Sequence, residues 1–129
     1  MIRIAYISTA EALEEANVDA ILQSAMRRNA HVGITGFLLY NGRNFLQVLE
    51  GASEDLNALM RRIGSDPRHS GIVKIDDARV EDRTFPDWAM KRISLNHDRD
   101  RRREEIAGLL PERFDGHLRQ SVLNFAVLN

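Results

Sequence analysis

The sequence predicts an α+β fold, a ferredoxin-like βαββαββ sandwich with two helices on one face of a five-stranded mixed sheet and two short helices after it. Three observations predict it. Short stretches with alternating or continuous apolar residues recur five times before residue 96. Two stripes with helical spacing separate them, and Asn41-Gly42 supplies a hairpin turn between the second and third strands.

Each element follows from its residues. Residues 2–8 set Ile2, Ile4 and Tyr6 on one face against Arg3, Ala5 and Ile7 on the other, as a strand does. A helix at about 14–29 carries Val18, Ile21, Leu22, Ala25 and Met26 on one stripe, and Gly33 closes that region. Strands at about 34–40 and 45–50 meet across Asn41-Gly42-Arg43-Asn44. Ser53 is the predicted N-cap of the second helix, with Glu54 and Asp55 near its positive end. That helix buries Leu56, Leu59, Met60 and Ile63, and Gly64 followed by Asp66-Pro67 stops it. Strands at about 71–79 and 87–95 complete the series.

After Leu95 the composition changes to a run of mixed charge, Asn96 to Glu105, which reads as a solvated linker or helix start. Helices at about 99–109 and 115–127 follow, broken at Pro111. The chain thus divides into a domain over 1–95 and a helical extension over 96–129. Leu118, Val122, Phe125 and Ala126 give the last helix an apolar face, enlarged by Leu123, Val127 and Leu128. Such a face needs a dock, and two are open: the back of the sheet, or a subunit or partner interface.

Composition narrows the function classes. A net charge of −1 offers no electrostatic footing for nucleic acid or an anionic membrane. No apolar run reaches the roughly 18 residues of a membrane span. Met1 leads straight into a strand pattern without a leader signature, so the expected location is cytoplasmic. The chain has no cysteine, which removes disulfides, thiol catalysis, zinc–thiolate sites and cysteinyl-adduct photochemistry. There is no dinucleotide or phosphate loop, no zinc-protease signature and no nucleophile elbow, so no enzyme and no metal site is expected. His31, His69, His97 and His117 lack metal-ligand spacing.

One residue breaks an otherwise apolar strand. Gln47 shares a face with Phe45 and Leu49, so its amide points inward and must find hydrogen-bond partners or cost about 1–3 kcal/mol. An amide both donates and accepts, which suits a reversible switch. In the predicted sheet the first and third strands are neighbours, so Tyr6 can reach Gln47. Asn29 ends the first helix, while Arg62, Asp66 and His69 surround the end of the second. A cleft between these helices would have polar groups at one end and walls of Ile21, Met26, Phe45 and Ile63. It suits a flat heteroaromatic ligand with donors and acceptors along one edge.

The chain resembles the BLUF family of flavin-binding blue-light sensors. The matching segments run in order: Tyr6-Ile7-Ser8, Arg28-Asn29, Gly33-Ile34-Thr35-Gly36, Phe45 to Gly51, Arg61-Arg62-Ile63, Asp66-Pro67-Arg68-His69 and Trp88-Ala89-Met90. They cover about residues 2–95, and the C-terminal helices resemble the cap of short single-domain members. The resemblance implies a non-covalent flavin, FAD by family expectation with FMN as the alternative. It implies that Tyr6 passes an electron and a proton toward the excited flavin, and that Gln47 bridges Tyr6 and the ring, then rotates or tautomerises to shift the absorption red. It gives Asn29 the ring carbonyl edge, and Arg62, Asp66, Arg68 and His69 the flavin edge and side chain. Ile21, Arg28, Phe45 and Ile63 complete the binding site. Trp88 and Met90, on the last strand, shift when the glutamine changes state. Two positions depart from the pattern: Ala89 stands where many members have serine, and Arg28 where a smaller polar residue or histidine is common. The first removes one hydroxyl contact, and the second alters contacts at the ribityl or phosphate end.

With about 34 residues after Leu95, output is expected through a separate effector protein or through assembly state, with a homo-oligomer expected. Two other readings stand beside this one. A small acylphosphatase-type hydrolase would use Arg28, Asn29 or Arg68, but no glycine-rich anion loop follows the first strand. A flavin-free oligomeric scaffold would depend on the C-terminal helices.

Overall fold

The structure, a computed structural model, describes residues 1–9, 15–66, 70–86, 88, 91–93, 98–114 and 116–128. Its elements are β1 (Ile2–Thr9), α1 (Glu15–Val32), β2 (Thr35–Tyr40), β3 (Asn44–Gly51), α2 (Ser53–Gly64), β4 (Ser70–Arg79), β5 (Lys91–Ile93), α3 (Arg99–Leu109) and α4 (Gly116–Val127). The class is α+β. The strands form one sheet in the order β4-β1-β3-β2-β5. The pairs β4-β1, β1-β3 and β3-β2 are antiparallel, and β5 runs parallel to β2 opposite Phe37, Leu38 and Leu39.

Alternation along the strands sorts the core into two layers. Tyr6, Leu38, Phe45 and Leu49 pack with Val18 and Ile21 of α1 and Leu56, Leu59 and Ile63 of α2. Ala5, Phe37, Leu39, Leu46 and Val48 point the other way, against Ile106 of α3 and Leu118, Val122 and Phe125 of α4. The apolar face of α4 therefore docks on the back of the sheet, the first of its two docks, which does not bear on the second.

Several expected boundaries move. Of the strand expected over 87–95, β5 comprises Lys91–Ile93, and residues 87, 89, 90, 94 and 95 lie outside the described residues. Ser53 is the first helical residue of α2 rather than its cap. Ala52 takes the cap position with no side-chain bond, because β3 continues to Gly51 and leaves one residue for the turn. Asp98 does cap α3, accepting from the amides of Asp100 and Arg101. α1 runs on to Val32 and ends where Gly33 adopts φ 73°, a left-handed conformation that suits glycine. Met26 is 42% exposed and is not a wall of the cleft. At about 100° per residue it lies roughly 80° round the helix from Val18, whereas Asn29 lies only about 20° away.

Gly36 has a separate constraint. A Cβ there would sit 1.8 Å from the Val48 carbonyl oxygen, so only glycine allows β2 and β3 to pair at that point. Its amide donates to the Trp88 carbonyl at 2.8 Å, carrying the sheet edge into the segment that follows β4.

Candidate functional site

The β1–β3 register sets Tyr6 directly opposite Gln47, and the β2–β3 register sets Leu38 on the other flank of Gln47. The two polar residues are buried, and the Tyr6 hydroxyl donates to Gln47 Oε1. Burial, and secondarily the nearby Asp66 carboxylate, raises the Tyr6 phenol well above its ordinary value, so it stays protonated across the physiological range.

These two side chains floor a slot between α1 and α2. Leu38 and Phe45 extend the floor, α1 contributes Ile21, Leu22, Ala25, Arg28 and Asn29, and the α2 end contributes Leu59, Arg62, Ile63 and Asp66. The slot is narrow. Including its mouth it holds about 540 Å³ of atom-free space. A wider cleft adjoins it, with about 870 Å³ of atom-free space including its mouth, sharing Arg28, Asn29, Leu59 and Arg62 and adding Arg27, His31, Ile34 and Asp55.

Asn29 is a polar residue of the slot with unused hydrogen-bonding capacity. It is 1% exposed, and its Nδ2 has no hydrogen-bond partner among the described residues. A buried amide donor without a partner costs about 1–3 kcal/mol, which an acceptor on a bound molecule would recover. The donors of Asn29 and Arg62 and the amide of Gln47 border an apolar-walled slot. That donor set fits the carbonyl-bearing edge of a flavin ring, with aliphatic side chains for its faces.

The structure thus brings together Tyr6, Ile21, Arg28, Asn29, Phe45, Gln47, Arg62, Ile63 and Asp66. Arg68, His69 and Met90, also expected here, lie outside the described residues. Trp88 is placed elsewhere. Its ring stacks on Phe85 with centroids 5.1 Å apart and meets Phe37 edge-on at 6.0 Å, in the layer that faces α3 and α4. Sequence reasoning missed Leu22, Ala25, Leu38 and Leu59 as slot residues. Leu22 and Ala25 were visible as stripe neighbours of Ile21, and Leu38 follows from pairing the hairpin through Gln47.

A model of one protein family, described as "Sensors of blue-light using FAD", matches residues 1–91. The chain belongs to the BLUF family. Photoactivated adenylate cyclase subunit beta of Euglena longa is 36% identical over 92 residues, which are 69% of this chain and 11% of that protein. The chain spans only about a tenth of the length of such cyclase subunits. Among solved structures, the dark-state BLUF protein BlrB superposes with a TM-score of 0.74 at 34% identity, covering 98% of this chain and 93% of that one. BlrP1 of Klebsiella pneumoniae, determined with FMN and cyclic diGMP, gives 0.83 at 31% identity over 97% of this chain and 34% of that one. As a BLUF member the chain is a blue-light sensor that uses a flavin. Its BLUF region is a photosensor and not an enzyme. Among the described residues, no helix is long and apolar enough to cross a membrane.

Proposed function

We propose that Tyr6 and Gln47 are the photoactive pair of this sensor, and that the slot between α1 and α2 holds the flavin ring with Asn29 at its carbonyl edge. The single observation that carries this reading is the buried Tyr6–Gln47 hydrogen bond at the floor of the slot. Bound and excited by blue light, a flavin supplies a strong oxidant. Tyr6 is the oxidisable side chain at hand. It is held neutral, so its phenolic proton is available to leave with an electron and to return with it. Gln47 Oε1 accepts the Tyr6 hydrogen bond in the dark arrangement, which turns Nε2 away from Tyr6. Once Tyr6 has recovered both particles, the chain is chemically unchanged and only the amide of Gln47 is rearranged.

Arg62 and Asp66 hold the ring's polar edge and side chain, while Ile21, Phe45 and Ile63 cover its faces and exclude water. Arg28, beside Asn29, opens onto the wider cleft, and Arg68 and His69 act at the flavin side chain. FAD is the ligand proposed here, with FMN able to make the same ring contacts. Trp88 and Met90, which precede β5 in the chain, report the switch. The order β4-β1-β3-β2 supports a ferredoxin-like reading of the sheet, with β5 as its fifth strand. Residues 1–95 are the flavin-binding unit and 96–129 the output extension, working in the cytoplasm as a homo-oligomer on a separate effector protein. The sensory match to cyclase subunits supports an effector, because there the matched segment is a small part of a signalling protein.

The test is the visible absorption of the flavin-loaded protein in darkness, under blue light and during recovery. A flavin band that moves red as a whole and returns supports the reading. Gln47→Leu should bind flavin and lose that shift completely, and Tyr6→Phe should do the same. A full-size shift in Gln47→Leu would remove Gln47 as the switch.

A further inference from the structure

Glu50 lies three residues beyond Gln47 on β3 and is fully buried on the face opposite the slot. A carboxylate in that position is costly unless hydrogen-bonded. Its partners are backbone amides of the segment after β4: Thr84 N lies 2.9 Å from each carboxylate oxygen, and Phe85 N lies 2.8 Å from Oε1. The same segment is held at a second point. Arg83 donates to the Glu50 carbonyl at 3.0 Å, to Thr35 Oγ1 at 2.8 Å, and to the Gly33 carbonyl just past α1.

The segment is also tied to the helices on the back of the sheet. Arg113, between α3 and α4, donates to the carbonyls of Arg83 at 3.2 Å and Thr84 at 3.1 Å. The Phe85 ring meets Phe114 edge-on at 5.2 Å and stacks on Trp88. An apolar residue at position 50 would fill the same volume without the cost of burying a charge. What the carboxylate adds is a directional grip on two successive amides.

We infer that Glu50 is a positioning residue: through Thr84 and Phe85 it holds Trp88 and the α3–α4 connection in register with the strand that carries Gln47, so that a rearrangement of Gln47 reaches α3 and α4. The inference rests on Gln47 being the switch, and its test reads the two separately.

Trp88 is the chain's single tryptophan, so tryptophan emission comes from this segment, and its wavelength rather than its flavin-quenched intensity is the readout. The experiment records the flavin red shift and the light-minus-dark change in Trp88 emission on the same flavin-loaded full chain. Wild type should show both. Glu50→Gln should keep the flavin shift and lose the Trp88 change, because an amide offers one acceptor oxygen and turns an NH2 toward amides that need acceptors. A Trp88 change of wild-type size in Glu50→Gln overturns the inference. So does a wild type whose Trp88 is indifferent to light, and so does loss of the flavin shift along with the Trp88 signal. If Glu50→Gln does not fold, the exposed Arg113→Gln decides. It should keep the flavin shift and lose the light-dependent change in amide hydrogen exchange of α3 and α4, and an unaltered exchange response overturns the coupling. A wild type with no flavin shift rejects the switch itself, and the inference with it.

Discussion

On the face covered by α1 and α2, Tyr6, Gln47 and Asn29 are buried around a slot, and the Asn29 donor has no partner among the described residues. On the face covered by α3 and α4, Phe37, Phe85, Trp88 and Phe114 close on one another. The buried carboxylate there, Glu50, meets backbone amides of the same chain. One sheet therefore buries polar atoms in two ways. Where they are satisfied internally they hold the chain together, and where one is left over the fold has room for a ligand. Substitutions on the two faces should therefore have different consequences.

The largest effect is expected on the back. Phe37 is fully buried among three aromatic rings, so Phe37→Ala should lower stability by about 3–5 kcal/mol, read as a fall in urea midpoint at unchanged slope. A small loss there would mean the helices are loosely docked. On the slot face the sign should depend on the ligand. Asn29→Ala should weaken flavin binding about tenfold, equivalent to about 1.4 kcal/mol, while the flavin-free protein keeps or gains thermal stability because an unsatisfied buried group is gone. Titrating flavin into both proteins and melting both without it checks the pair of outcomes. A flavin-free variant that melts well below wild type would show that Asn29 has a structural partner instead.

The smallest effect sharpens the same contrast through pH. The folded chain holds the Tyr6 phenol protonated above the pH at which an ordinary tyrosine, near 10, ionises. Below that point both folded and unfolded states are neutral at this residue, and Tyr6 contributes no pH dependence. Above it the unfolded state loses a proton that the folded state keeps, so the free energy of unfolding falls as pH rises. Melting temperatures measured between about pH 8 and pH 11 should decline more steeply for wild type than for Tyr6→Phe. Equal slopes would place the phenol in a more solvated setting.

Much of the slot was legible because it depends on local periods. A period of two points Gln47 inward with Phe45 and Leu49, and the turn at Asn41-Gly42 fixes the hairpin that flanks it. The angular spacing along α1 puts Asn29 on the buried side and removes Met26 from it, a distinction that the apolar character of Met26 concealed. Arg62 and Asp66 follow from where α2 stops. β5 was less legible, since the three residues described in it carry almost no periodic signal.

The sequence by itself determined which way Tyr6, Phe45, Gln47 and Leu49 face, which element follows which, and that cysteine chemistry plays no part. Only the tertiary structure decided that α4 covers the back of the sheet, that Trp88 stacks on Phe85 away from the slot, and that Glu50 grips Thr84 and Phe85. The physical reason is separation along the chain. Periodicity reports a residue's orientation relative to its near neighbours, whereas the Glu50 contacts join residues 34 and 35 positions apart, and those meet only once the strands have chosen their order.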